Sequence, residues 1–144
     1  MYMLDTNICI FLINRKHPGL AQKIADIPFD EICVSTITQS ELEYGVSKSR
    51  HKAKNAQALV KFLSTVTVLD YDTKAAEMYG NIRADLERKG QLIGPLDMLI
   101  ASHALSKGFI VVTNNVGEFE RVEGLKVEDW VNMLIEEDSA EETK

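Results

Sequence analysis

Cysteine is nearly missing from these 144 residues: there are two, Cys9 and Cys33. Each lies in an apolar stretch, NICIFLI and EICVSTI, where a small hydrophobe is expected. Neither belongs to a CxxC pair, and no Cys/His set has zinc spacing. A disulfide scaffold and a zinc site are therefore excluded, and a reducing compartment is expected. Also missing is any apolar run long enough to span a bilayer. Met1 leads straight into apolar residues, without the basic start, apolar middle and small-residue cleavage site of a secretion signal. The expectation is a cytoplasmic protein.

Positive charge is in deficit. The formal net charge is -6, against the basic balance of a broad polyanion binder. Much of the excess lies in the last nine residues, where Glu136, Glu137, Asp138, Glu141 and Glu142 are answered only by Lys144. Residues 136–144 read as a disordered acidic tail on a single domain of residues 1–135. No repeat or internal linker interrupts that domain. Its 45% hydrophobic and 26% charged content is that of a globular protein able to bury a core without staples.

What is present is an alternation of short apolar runs with longer helical patterns. Tyr2–Leu4 reads as a buried strand and the residues after Thr6 as a helix. After the break at His17, Pro18 and Gly19, Leu20, Ile24 and Ile27 outline a short amphipathic helix. Residues 31–35 form a second strand. Thr38 with Glu41 has the capping-box spacing and predicts a helix start at Thr38, with Leu42 and Val46 inward. Residues 52–64 predict a helix with Ala56, Leu59, Val60 and Leu63 inward, and residues 65–70 a strand. Asp72 or Thr73 caps a helix running to about Lys89 and ended by Gly90. Pro95 suits a first helical position, and that helix is stopped by Gly108. The β-branched run 109–113 predicts a central strand, and 125–129 an edge strand. Strands alternating with helices imply an α/β fold with a mainly parallel sheet and helices on each side. In such sheets ligands gather beyond the carboxyl ends of the strands.

That rule selects among the acids. Asp5 ends the first strand, Glu41 follows the second, and Asp97 is in the first turn of the helix before residues 109–113. The segment TNNVGEF adds Thr113, Asn114, Asn115 and Glu118 at the same edge. Carboxylates crowded together raise one another's pKa or are neutralised by a cation. An all-oxygen set favours Mg²⁺ or Mn²⁺ over Zn²⁺. Each acid also has a plain structural reading: Asp5 as a helix cap, Glu41 as half of a capping box, Asp97 as a partner of the helix dipole. A cation explains the three together. Elsewhere, Asp70 and Asp72 read as turn and cap. Asp85, Glu87, Arg88 and Lys89 read as a solvated helix face. Arg83 offers a phosphate contact or a surface ion pair. His17, His51 and His103 share no metal spacing, His103 reading as a packed core residue, and Phe119 and Trp130 as packing residues.

With those residues marked, four segments resemble one family. MLDTN at 3–7, the S-x-I-T-x-x-E-L-x-Y-G pattern from Ser35 to Gly45, GPLDMLIASHA at 94–104 and VVTNNVGEFERV at 111–122 are similar to the PIN-domain toxins of bacterial VapBC toxin–antitoxin pairs. Order and spacing agree from Met3 to about Trp130. The resemblance implies an α/β/α sandwich, a homodimer and Mg²⁺/Mn²⁺-dependent endoribonuclease activity. It implies that Asp5, Glu41 and Asp97 form the acidic triad, with Asp5 and Asp97 as metal ligands. The family's fourth acidic position falls in TNNVGEF. Asn115 at one candidate position is an amide and Glu118 occupies the other, so Glu118 is expected as an outer or water-mediated ligand with Asn115 as a polar contact, and Thr6 and Thr113 as holding a metal-bound water or orienting an acid. The resemblance further implies a VapB-like antitoxin and a tRNA substrate, commonly the initiator tRNA. Positive charge for RNA is expected from Lys48, Arg50, Lys52 and Lys54. Two other readings fit an acidic pocket: a receiver-like signalling module phosphorylated on Asp70, and a structure-specific DNA nuclease, for which no basic arm is present.

Overall fold

The computed structural model describes residues 1–132. The acidic tail at 136–144 and the domain limit at 135 lie outside the described residues. Five short strands form one sheet in the order β3-β2-β1-β4-β5: β1 (Tyr2–Leu4), β2 (Ile32–Ser35), β3 (Thr67–Leu69), β4 (Ile110–Val112) and β5 (Lys126–Glu128). All four pairings are parallel; Tyr2 stands opposite Ile32 on one side and Ile110 on the other. β4 is an inner strand as expected, but β1 holds the centre.

Side chains alternate across the strands, and both faces are covered. Met3, Cys33 and Val111 face α5 (Thr73–Arg88) and α6 (Pro95–Lys107), where Leu86, Ile100 and Ala104 are fully buried. Leu4, Ile32, Val34 and Val112 face the other way. There they pack with residues of α1 (Thr6–Ile13), α2 (Pro18–Ala25), α3 (Thr36–Ser47) and α4 (Lys52–Leu63). Phe119, in the short α7 (Val116–Phe119), and Trp130 belong to the two cores, as their apolar surroundings suggested. Both cysteines are free and buried; burial pushes both thiols up, that of Cys33 to about 12.

Local chemistry accounts for most boundaries. Asp72 caps α5 by accepting the Ala75 N–H at 3.0 Å. Pro95 opens α6, and Gly108 closes it at a positive φ of 70°, a conformation that costs glycine little. Two expectations fail. Helix α3 begins at Thr36, not Thr38, because Ser35 ends β2 and caps the helix at once, its Oγ accepting the Ile37 N–H at 3.1 Å. Thr38 is buried inside the first turn, and Glu41 falls in the second, out of reach of a capping box. On α4, Leu59 is buried, but Ala56 is exposed and Val60 is 71% exposed. That helix packs chiefly on α3 and α1, so only a narrow stripe is covered.

The chain runs outward from β1 through β2 to β3, then returns to the opposite side of β1 as β4. Loops leaving β1 and β4 diverge at that reversal and open a crevice above the carboxyl ends of the strands.

Candidate active site

Asp5 occupies the crevice because it is the residue directly after β1, and it is only 3% exposed. Its backbone N–H continues the ladder to Val112 O at 3.0 Å. Its Oδ1 caps α1 by accepting the Ile8 N–H at 3.0 Å. Its Oδ2 accepts a hydrogen bond from the Thr113 hydroxyl, the residue directly after β4. The same Thr113 oxygen takes the Asn115 N–H at 2.8 Å, which aims the hydroxyl proton at Asp5. Burial raises the Asp5 pKa; the Thr113 and Ile8 bonds act against it, and the Glu41 charge adds to it.

Glu41 reaches the crevice from the second turn of α3. The Thr6 hydroxyl, one residue beyond Asp5, donates to Glu41 Oε1 at 2.7 Å, and Thr38 Oγ1 lies 3.4 Å from that hydroxyl. The short α3 cap at Ser35 therefore turns Thr38 and Glu41 toward the start of α1.

Asp97 lies in the first turn of α6, and Glu118 on α7 faces it. A methyl built on Gly94 would lie 3.7 Å from Asp97 Oδ2 and 3.9 Å from Glu118 Oε2, so both oxygens border one small space. Asp97 is raised to about 7, first by burial, then by sharing a hydrogen bond with Glu118 and feeling its charge, then by Asp5 and Glu41. Asp97 therefore keeps its proton more readily than an exposed aspartate does. Asn115 Nδ2 donates to Glu118 Oε2 at 2.9 Å and fixes that carboxylate from behind.

The structure thus brings Asp5, Glu41, Asp97 and Glu118 within mutual electrostatic reach, with Thr6, Thr113 and Asn115 as hydrogen-bond donors to three of them. Among the described residues, every ion pair lies elsewhere: Arg83–Glu87, Arg88–Asp85, Lys89–Asp85, Lys89–Glu123 and Lys107–Asp72. The carboxylates are paired with hydroxyls and with each other, and among the described residues no three acidic, His or Cys side chains stand together as a finished metal cage. The donor set nevertheless fits a hard divalent ion. It is all oxygen, carries several negative charges and, among the described residues, has no ion-pair partner; Asp5, Glu41 and Asp97 would hold such an ion.

Other candidates fall away from the crevice. Lys48, Arg50, Lys52 and Lys54 are exposed around the turn from α3 to α4, with Lys48 Nζ 5.1 Å above the Tyr44 ring. Arg83 makes its surface pair with Glu87 at 3.1 Å. Asp70 is exposed at the end of the edge strand β3, separated from β1 by β2, which leaves a receiver-like phosphorylation site without its pocket. Ser35, which the sequence offers beside Thr38, is the cap that orients Glu41. Its position at the last strand residue, with Thr36 and Ile37 following, was the available signal.

A parallel sandwich with braced carboxylates at its switch point matches a known family. The family model described as PIN domain covers residues 2–125. The tRNA(fMet)-specific endonuclease VapC of Shigella flexneri is 48% identical over 129 residues, 90% of this chain and 97% of that protein. Ribonuclease VapC2 of Haemophilus influenzae is 46% identical over 130 residues, 90% of this chain and 98% of the relative. In the crystal structure of DNA-bound VapBC from Salmonella typhimurium, the matching chain superposes with a TM-score of 0.86 at 47% identity, over 90% of this chain and 97% of that one. The fold is therefore that of a PIN domain. This chain belongs to the PIN-domain family, among its VapC ribonucleases, as the four sequence segments implied.

Proposed function

We propose that this VapC ribonuclease is a divalent-cation-dependent endoribonuclease toxin that cuts tRNA and is silenced by a VapB-like antitoxin. The observation that carries the cation is that Asp5, Glu41, Asp97 and Glu118 feel one another's charge while, among the described residues, none of them has an ion-pair partner. Mg²⁺ or Mn²⁺ is the fitting ion, held by Asp5 and Asp97 with Glu41, while Glu118 acts at longer range. When bound, such an ion activates water for attack on a phosphodiester and offsets charge growing on the phosphate. The chain's own groups prepare that chemistry. Thr113 and the Ile8 N–H keep Asp5 oriented in the face of its desolvation, and Thr6 holds Glu41 toward Asp5. Burial and the neighbouring Glu118 raise Asp97, so a cation would compete there with a proton. Among the described residues the one Ser–His contact, Ser35 with His103, is fully buried, so water is taken as the nucleophile and the products carry a 5′-phosphate and a 3′-hydroxyl.

The tRNA substrate rests on relatives named for tRNA(fMet) cleavage, and the antitoxin on neighbours solved as VapBC complexes. Initiator tRNA is the first substrate to test. Recognition of RNA by this acidic chain depends on shape and unpaired bases and weakens with salt. Among the described residues no helix is long and apolar enough to cross a membrane. A homodimer acting in the cytoplasm completes the proposal.

The test is incubation of the full chain with tRNA and either Mg²⁺ or Mn²⁺, followed by mapping of new 5′ ends. Discrete 5′-phosphorylated fragments that vanish with EDTA and with Asp5→Asn are expected. Undiminished cleavage in EDTA would overturn the cation-dependent reading.

A further inference from the structure

His103 is fully buried in α6, and its Nδ1 lies 2.8 Å from Ser35 Oγ. Ser35 is fully buried as well, and its Oγ already accepts the Ile37 N–H that starts α3. That oxygen either donates its hydroxyl proton to Nδ1 or accepts an Nδ1 proton with its second lone pair, and in both tautomers the bond joins Ser35 to Nδ1. Among the described residues Nε2 has no partner. Burial lowers the His103 pKa and favours the neutral ring. An apolar side chain of similar size would fill the volume without stranding a polar atom, so what the imidazole adds is the Nδ1 bond.

Its surroundings show what is tied together. The Tyr71 ring stands edge-on to the imidazole with centroids 5.6 Å apart, and the Tyr71 N–H donates to Thr36 Oγ1 at 3.0 Å. The first turn of α3, the connection between β3 and α5, and the middle of α6 are thereby joined, and α3 and α6 also pack directly. Ser35 precedes Glu41 by six residues on one helix, and His103 follows Asp97 by six on the other. Each anchor is roughly 9 Å along its helix from the acid on that helix. A helix is stiff over that distance.

We propose that the His103–Ser35 hydrogen bond is a positioning device that sets α6 against α3 and so fixes the spacing of Asp97 and Glu41 across the cation site. His103 is a positioning residue here, since it touches neither acid. The inference rests on the cation-site reading above and adds that the affinity of the site is set from outside it.

The experiment compares His103→Asn, which keeps an acceptor near the place of Nδ1, with His103→Gln, whose polar group reaches toward the place of Nε2. Mn²⁺ binding to the full chain is titrated by electron paramagnetic resonance well below each variant's melting temperature. His103→Gln and Ser35→Ala should bind Mn²⁺ roughly 10-fold more weakly, the loss expected when a support behind a metal ligand is removed. The double variant should bind no more weakly than Ser35→Ala alone, because that change already breaks the bond to His103 along with the α3 cap. His103→Asn and Ser35→Thr should stay within about 2-fold of the parent on the same scale. Equal affinities in the Asn and Gln forms, whether high or low, would overturn the inference. A parent protein that binds no Mn²⁺ would instead remove the reading on which it rests.

Discussion

Thr113 Oγ1 donates to Asp5 Oδ2 across 108 positions of sequence, joining the residues that directly follow two adjacent strands. Neither end of this bond is exposed, so the hydroxyl is the chief polar compensation for one buried carboxylate oxygen. Thr113→Val should therefore destabilise the protein by roughly 1–3 kcal/mol, the cost of leaving such a group unsatisfied. Thr113→Ser should recover most of the loss. Urea midpoints at pH 8 check both values. A valine form as stable as the parent would mean that Asp5 is balanced by something other than this bond.

Asp97 sets a pH dependence whose sign is fixed by the direction of its shift. An unfolded aspartate titrates near 3.8, whereas burial and Glu118 move folded Asp97 to about 7. Between those values the folded protein binds more protons than the unfolded one, so stability is greatest at the acid end and is lost as pH rises toward 7. Asp5, also raised by burial, adds to the same trend. Without divalent ions the parent should melt lower at pH 8 than at pH 5.5, and Asp97→Asn should flatten part of that fall. Mn²⁺ should restore more stability at pH 8 than at pH 5.5, because it competes with the proton; at 100 times its dissociation constant the gain is about 2.7 kcal/mol. Melting curves in EDTA and in Mn²⁺ at the two pH values supply the comparison. Stability that rises from pH 5.5 to pH 8 in EDTA would contradict it.

The outer face of α4 offers a separate check on the packing. Leu59 is buried in the core formed with α1 and α3, while its neighbour Val60 faces solvent. Leu59→Ala should cost roughly 2–5 kcal/mol as a cavity-forming core truncation. Val60→Ala should stay within about 0.5 kcal/mol of the parent. Chemical denaturation of the two variants distinguishes this arrangement from one in which both residues point inward; similar losses would favour the latter.

Residues with local causes were legible in the sequence. Pro95 and Gly108 bracket α6, Asp72 caps α5, and the β-branched run at 110–112 is an inner strand, because each depends on backbone chemistry within a few residues. Asp5, Glu41 and Asp97 were selected because parallel sheets gather ligands at one edge. The α3 start was misread because Ser35 and Thr38 are both good caps by composition; pairing of β2 as far as Ser35 decided between them. The face of α4 was misread because periodicity finds an apolar stripe but not the width of its partner, which here is a pair of helices. The hydroxyl braces, Thr6 to Glu41 and Thr113 to Asp5, join residues 35 and 108 positions apart, and no local pattern encodes such bonds.

Asn115, an amide where an acid is expected from the family resemblance, gives the last prediction. Its Nδ2 donates to Glu118 Oε2, and its backbone N–H donates to Thr113 Oγ1. Asn115→Asp would leave the backbone bond intact but turn a donor into a second carboxylate against Glu118. In EDTA at pH 8 the variant should lose roughly 1–2 kcal/mol, a charged-group hydrogen bond replaced by repulsion. The loss should shrink at pH 5, below the raised pKa of about 7 of Asp97 beside Glu118, where protonation of Asp97 lowers the local negative charge. Mn²⁺ should bind the aspartate form more tightly, since a cation gains from each added negative oxygen. The two effects have opposite signs, and urea midpoints with and without Mn²⁺ read both. Equal stability of variant and parent in EDTA at pH 8 would show that the amide does not hold Glu118, whereas destabilisation without tighter Mn²⁺ binding would place residue 115 outside the reach of the cation.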